Sequence, residues 1–430
     1  MDLTSLVPKK LLLPFIMVTA LFSLWGFANA VTDPMVQAFK KVLEISNSQA
    51  AWVQMAFYGG YFCMALPAAM FMRKYSYKTG ILIGLALYSF GALLFYPAAA
   101  VQSFLFFCVG LYILTFGLAF LETAANPYIM AMGPKETAVR RLNLAQAFNP
   151  IGLIFGLFVA QQFVLKKLKS DEIENFNSLD SVTKETIRVD DLLIIRNPYV
   201  ILGLVLFCVF ILFMIVNMPQ SKGEKQKSIL KTFKFLCSSK KYILGVLAQV
   251  FYVGSQIMCW TYIYQYAEAI HINNVTASYY QMAAFILFVL GRIFGTFLLR
   301  FFKPSKLLFL FAVCAIITLL GTIFLQNILG LYCLVLISFF MSLMFPTIYG
   351  IALGNLSEEE SKIGSAGLVM AIVGGALLPK LQGMIIDLGG NDVADILIAG
   401  VSEVNFSFIL PLICFTFISW YGFFISKQVN

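Results

Sequence analysis

Twelve apolar runs, each long enough to cross a bilayer, set the limits on what this chain can be: 11–38, 49–72, 79–100, 102–131, 142–165, 197–217, 241–268, 276–299, 306–325, 328–353, 362–387 and 404–425. A spanning helix needs about 20 largely apolar residues. Hydrocarbon offers no hydrogen bonds to a backbone, so segments of this kind must be helical. The tightest seam is Ala100-Val101-Gln102-Ser103, between the third run and the fourth. The expected fold class is therefore all-α and integral to the membrane, with twelve transmembrane helices.

Composition removes the alternatives. The chain is 60% hydrophobic and 12% charged, whereas a soluble domain is roughly 45–50% apolar and about 25% charged. No soluble core could bury that excess, so lipid is the solvent. The net charge of +9 sits on no soluble element, which excludes nucleic acid as a partner. The eight cysteines form no CxxC pair, and His271 is the one histidine. Neither a disulfide framework nor a metal site is expected. No nucleophile–base pairing is visible and the extramembrane segments are too short for a catalytic domain, so the chain reads as no enzyme and needs no cofactor. Lys9 and Lys10 precede an apolar run that continues from Leu11 to Val31 without a small-residue cleavage site. That run reads as a retained first helix rather than a signal peptide.

Two hydrophilic segments interrupt the pattern. Residues 166–196 carry mixed charge, and 218–240 carry Lys222, Lys225, Lys227, Lys231, Lys234 and Lys240. The second follows the sixth run. It divides the chain into an N-terminal six-helix bundle (1–217), a linker (218–240) and a C-terminal six-helix bundle (241–430). Arg73, Lys74 and Lys78 close the second run, and Arg300, Lys303 and Lys306 follow the eighth. The same basic hairpin at the same place in each half points to an internal repeat. The lysine and arginine bias puts the linker and both termini in the cytoplasm.

Charges inside the spans carry the functional signal, because each costs roughly 2.5–3.5 kcal/mol at the bilayer centre. Asp33 lies in the first run, Glu122 in the fourth, Arg292 in the eighth and Lys380 in the eleventh. Desolvation disfavours a carboxylate's charged form, so Glu122 and Asp33 can take a proton from one side and release it on the other. Arg292, near the end of its run, reads as a snorkelling structural residue. Lys380 reads as a sugar ligand, a partner for an acid, or structural. Gln146 and Asn149 are three apart and share a helix face, and amides match the paired donors and acceptors of sugar hydroxyls. Gln249, Tyr252, Gln256 and Trp260 recur at three- or four-residue steps. A polar face with rings suits a pyranose, whose C–H face packs on aromatics. The plainer reading of such residues is interhelical hydrogen bonding, worth about 0.6 kcal/mol each. Pro67, Pro127, Pro150, Pro346, Pro379 and Gly374-Gly375 fall inside spans, where broken helices are tolerated if the backbone lines a cavity.

Several stretches resemble the fucose permease family of the major facilitator superfamily, which includes fucose–proton symporters and glucose/galactose transporters. They are Leu24-Trp25-Gly26-Phe27-Ala28-Asn29 through Asp33, Gln54 through Tyr61, Leu121 through Pro127 (LETAANP), Arg141 through Asn149 (RLNLAQAFN), and Tyr252 through Gln256 with Cys259-Trp260. The resemblance implies two pseudo-symmetric six-helix bundles rocking about a central site, so that access alternates by a rigid-body motion of one bundle against the other. It implies that Asp33 and Glu122 serve proton coupling and sugar recognition, and that Gln146 and Asn149 lie on the cavity wall. Asn29, Asn126, Tyr252, Gln256, Trp260, Lys380 and Gln382 complete the expected sugar-contacting set. Ala30 stands where the fucose permease has an Asn, and Lys380 where the family has an apolar residue. The expected function is proton-coupled import of a monosaccharide, L-fucose first, by a monomer in a bacterial inner membrane. Glucose/galactose transport, coupled to protons or sodium or uncoupled, is the alternative.

Overall fold

A computed structural model describes residues 6–43, 47–171, 180–218, 228–390 and 396–428, leaving aside the side chains of 33–41, 47–52, 54, 55, 171, 181, 274 and 275. Helices form along every expected run. In the first half they are α1 (Leu12–Val42), α2 (Asn47–Lys74), α3 (Tyr77–Leu93, continued by Phe95–Val101), α4 (Phe104–Ala131), α5 (Ala138–Gln146 and Asn149–Val159) and α6 (Ser181–Ile215). In the second half they are α7 (Lys240–Thr261 and Ile263–Ala269), α8 (Asn274–Leu298), α9 (Pro304–Phe324), α10 (Ile328–Met341 and Met344–Leu353), α11 (Glu358–Met370 and Gly374–Ile386) and α12 (Glu403–Ser407 and Ile409–Gln428). Among the described residues, 11 of these helices are long and apolar enough to cross a membrane. The 28-residue α2 completes the twelve.

Local chemistry sets the boundaries. At the tight seam Gln102 turns left-handed (φ 53°), and the Ser103 side chain caps α4 by accepting from the Phe106 N–H. Ser76, Asn327 and Ser357 cap α3, α10 and α11 in the same way. One boundary departs from expectation. α6 starts at Ser181, inside the segment read as a loop, because Asp180 caps the Thr183 N–H and Arg188 pairs with Glu185 at 3.2 Å. Charged first turns give no apolar run. The lysine-rich linker likewise holds a short amphipathic helix, Ile229–Ser238.

The packing displays the repeat that the sequence only hinted at. α1 packs on α5, α2 on α4, α3 on α4, and α3 on α6. The second half repeats the list six helices later: α7 on α11, α8 on α10, α9 on α10, and α9 on α12. The α1–α5 crossing is close because it is built on glycines. A Cβ at Gly152 would strike the Ser23 carbonyl, and one at Gly26 the Asn149 carbonyl. The Ser23 hydroxyl then reaches the Phe148 carbonyl at 2.8 Å.

Between the halves, α2 and α4 meet α11, and α5 meets α8 and α10. The Arg73 Nε at the end of α2 donates to Glu359 of α11 at 2.7 Å. Both side chains are less than a tenth exposed. The Lys362 ammonium lies 4.8 Å over the Tyr77 ring. Three acids, Glu358 to Glu360, fill the first turn of α11, where the helix dipole favours negative charge. The molecule is therefore clasped at the end that carries the basic hairpins.

Candidate functional site

The site grows out of α4. Glu122 is half-buried, its Oε2 shielded from solvent and without a partner among the described residues. The carboxyl lies beside the Tyr61 hydroxyl of α2, and Tyr61 is itself held edge-on by the Phe57 ring at 5.6 Å. One turn further, the Asn126 Nδ2 donates to the Glu122 carbonyl at 3.0 Å. The Asn126 Oδ1 accepts from the Gln146 Nε2 of α5 at 2.8 Å. The carboxyl and both amides are thus joined into one wall by α4 and α5. Asn149, past the break in α5, donates to the Phe22 carbonyl of α1 at 3.2 Å.

Prolines explain why backbone takes part. A proline has no N–H, so it frees the carbonyl four residues before it. Pro127 frees Thr123, Pro150 frees Gln146 and Pro346 frees Ser342. Each freed carbonyl has a side-chain donor. The Ser365 hydroxyl of α11 reaches Thr123 at 3.1 Å. Arg292 of α8 gives its Nη1 to Gln146 at 3.0 Å and its Nε to Ser342 at 2.5 Å. The Ser365 and Arg292–Gln146 contacts cross between the halves. So does the 3.1 Å bond from Asn143 to Thr347.

Arg292 corrects a sequence reading. It does not snorkel: it is only 3% exposed, stacks on Phe288 at 4.7 Å and lies beside Tyr252, whose hydroxyl has no hydrogen-bond partner among the described residues. Tyr252 is wholly buried on α7, 6.1 Å from the Phe345 ring. Gln249, one turn earlier, is buried with neither amide atom bonded among the described residues.

Other expected residues stand apart from this wall. Trp260 gives its indole N–H to Ser338 at 3.2 Å and wedges between Phe285 and Phe288, so it packs the interior of the second half. Gln382 donates to Ser407 at 2.9 Å and is fully buried. Lys380 is exposed and forms no ion pair among the described residues, so it does not neutralise Glu122. Gln256 is half-buried. Asn29 is half-buried with a shielded Oδ1, four residues before Asp33, whose side chain lies outside the described residues. Tyr61 and Ser365 were not singled out from sequence; a lone hydroxyl in an apolar run carries no signal of its own.

Residues 15–379 match the Major Facilitator Superfamily. The chain belongs to that superfamily. It is a multi-pass membrane transporter of twelve helices in two pseudo-symmetric bundles. Within the superfamily it is 53% identical to the L-fucose-proton symporter of Haemophilus influenzae, over 97% of this chain and 98% of that one. It is 29% identical to the glucose/galactose transporter of Brucella abortus, over 95% of this chain and 93% of that one. In three dimensions this facilitator is similar to the E. coli fucose:proton symporter FucP. The TM-score is 0.86 at 33% identity, covering 97% of this chain and 99% of FucP. FucP has been crystallised in the outward conformation.

Proposed function

We propose that this protein imports L-fucose together with a proton, and that the structure is its outward-facing state. The observation that carries the sugar is the 53% identity, across 97% of the chain, to an L-fucose-proton symporter; the glucose/galactose transporter stands at 29%. With both termini and the lysine-rich linker in the cytoplasm of a bacterial inner membrane, the clasped end is the cytoplasmic end. The halves divide at 217 and 241, with residues 218–240 between them, and the carrier works as a monomer.

Glu122 is the proton carrier. Deprotonated, its carboxylate has the Tyr61 hydroxyl as a donor; protonated, it is a neutral group that a half-buried site accommodates. Asp33 shares the proton-coupling role and reaches the sugar. Gln146, Asn126, Asn149 and Asn29 supply amide donors and acceptors for sugar hydroxyls from the first half. Gln256 and Tyr252 join them from the second, and the positions of Lys380, Gln382 and Trp260 make them the weakest members of the set. Alternating access follows from breaking the cytoplasmic clasp and closing the opposite end about the loaded site.

The test is uptake of radiolabelled L-fucose into proteoliposomes under an inward proton gradient, with D-glucose and D-galactose as competitors. Accumulation that L-fucose alone competes away supports the assignment. Equal competition by the hexoses would move the protein to the glucose/galactose branch.

A further inference from the structure

Arg292 poses an electrostatic question that the proton and sugar sites leave unanswered. It is a full cation buried to 3% exposure between the halves. Its described partners are two main-chain carbonyls and the Phe288 ring. A buried charge is tolerated only where hydrogen bonds replace its hydration. Here the two carbonyls do so, and both are available because prolines free them: Pro150 for Gln146 in the first half, Pro346 for Ser342 in the second. The guanidinium's planar fork spans the two, which a lysine's point charge cannot do.

The Gln146 end is not an ordinary anchor. The residue whose carbonyl holds Arg292 at 3.0 Å also gives its side-chain amide to Asn126, and Asn126 holds the Glu122 main chain. Sugar binding at these amides and protonation at Glu122 both act on the residue that fastens the halves.

We infer that Arg292 is a load-sensing clasp, a positioning residue that keeps the carrier closed on the cytoplasmic side of Glu122 until Gln146 is engaged by sugar. With the amide chain undisturbed, Arg292 bridges the halves and the empty carrier stays outward-facing. When sugar draws on the Gln146 and Asn126 amides, the break in α5 shifts, the Gln146 carbonyl leaves the guanidinium, and the cytoplasmic end can open. Losing one hydrogen bond to a charged group moves such an equilibrium by about 10–100-fold.

This inference rests on the symport reading, and the experiment separates the two. Wild type, Arg292→Lys and Pro150→Ala are reconstituted. Each is measured for L-fucose accumulation under a proton gradient, for L-fucose exchange at equal concentrations on both sides, and for proton leak without sugar. Pro150→Ala leaves the arginine in place and returns the Gln146 carbonyl to its own helix. Both variants are expected to keep exchange per folded protein, to lose most of the accumulation, and to leak protons several-fold faster. A merely structural role would lower exchange and accumulation together, and that result, or wild-type accumulation in Arg292→Lys, overturns the clasp. A wild type that accumulates no L-fucose overturns the symport reading instead.

Discussion

On the proposed symport, coupling comes down at Glu122 to one carboxyl beside the Tyr61 hydroxyl. Glu122→Gln keeps the shape and the hydrogen-bonding capacity but removes the titratable proton. It is expected to abolish accumulation above equilibrium and to spare exchange, both read by radiolabelled L-fucose in the same vesicles. Trp260→Phe is expected to behave oppositely. Its indole N–H is committed to Ser338, so the change costs about 0.6–1.5 kcal/mol of stability and leaves the KM for sugar unmoved; a raised KM with unchanged thermal stability would put Trp260 back in the site. The amides of LETAANP and RLNLAQAFN were legible because they stand inside apolar runs; the break in α5 between Gln146 and Asn149 was not. Arg292 was misread because its depth depends on a tertiary crossing: six residues from the end of α8 is within snorkelling reach unless another helix covers it, and α5 does.

Between elements, the glycine crossing and the buried ion pair make the sharpest demands. Gly152→Leu drives a side chain into the Ser23 carbonyl and is expected to cost at least about 1–3 kcal/mol, read as a lower melting temperature of the detergent-solubilised protein with transport lost. Arg73→Gln takes the guanidinium away from a carboxylate that is 8% exposed. Removing one partner of a buried pair costs about 3–5 kcal/mol, and in the proposed orientation this pair holds the cytoplasmic end closed. Arg73→Gln is therefore expected to shift the carrier inward, and Arg73→Glu with Glu359→Arg to restore it; failure of the swap would show that the pair is not what closes this end. The sequence could not couple residues 286 positions apart, although each sits in a visibly charged helix end. The early start of α6 was hidden for a different reason. Its first turns are polar, and its cap is the Asp180 carboxyl, held below the usual carboxylate range by the Thr183 hydroxyl and N–H. That cap is present above the ordinary Asp range and is lost as pH falls through the lowered value. Hydrogen exchange in the first turn of α6, corrected for its intrinsic rate, is expected to quicken only in acid.

For the molecule as a whole, two six-helix halves share one packing scheme, and the described polar contacts between them lie on the clasped side of Glu122. Thr123, Asn143, Gln146, Arg292, Thr347 and Ser365 are each within eight residues of a helix end, about 12 Å at 1.5 Å per residue. The number of spans and the division between halves follow from run lengths and the lysine-rich linker. The pairing of halves does not, because it is set by proline-freed carbonyls whose donors come from elsewhere in the chain. The most direct test of proton-coupled entry is to add L-fucose to an unbuffered suspension of energy-depleted, right-side-out vesicles and follow external pH. Alkalinisation on addition of L-fucose is predicted, absent with Glu122→Gln. L-fucose entry with no movement of protons would contradict it.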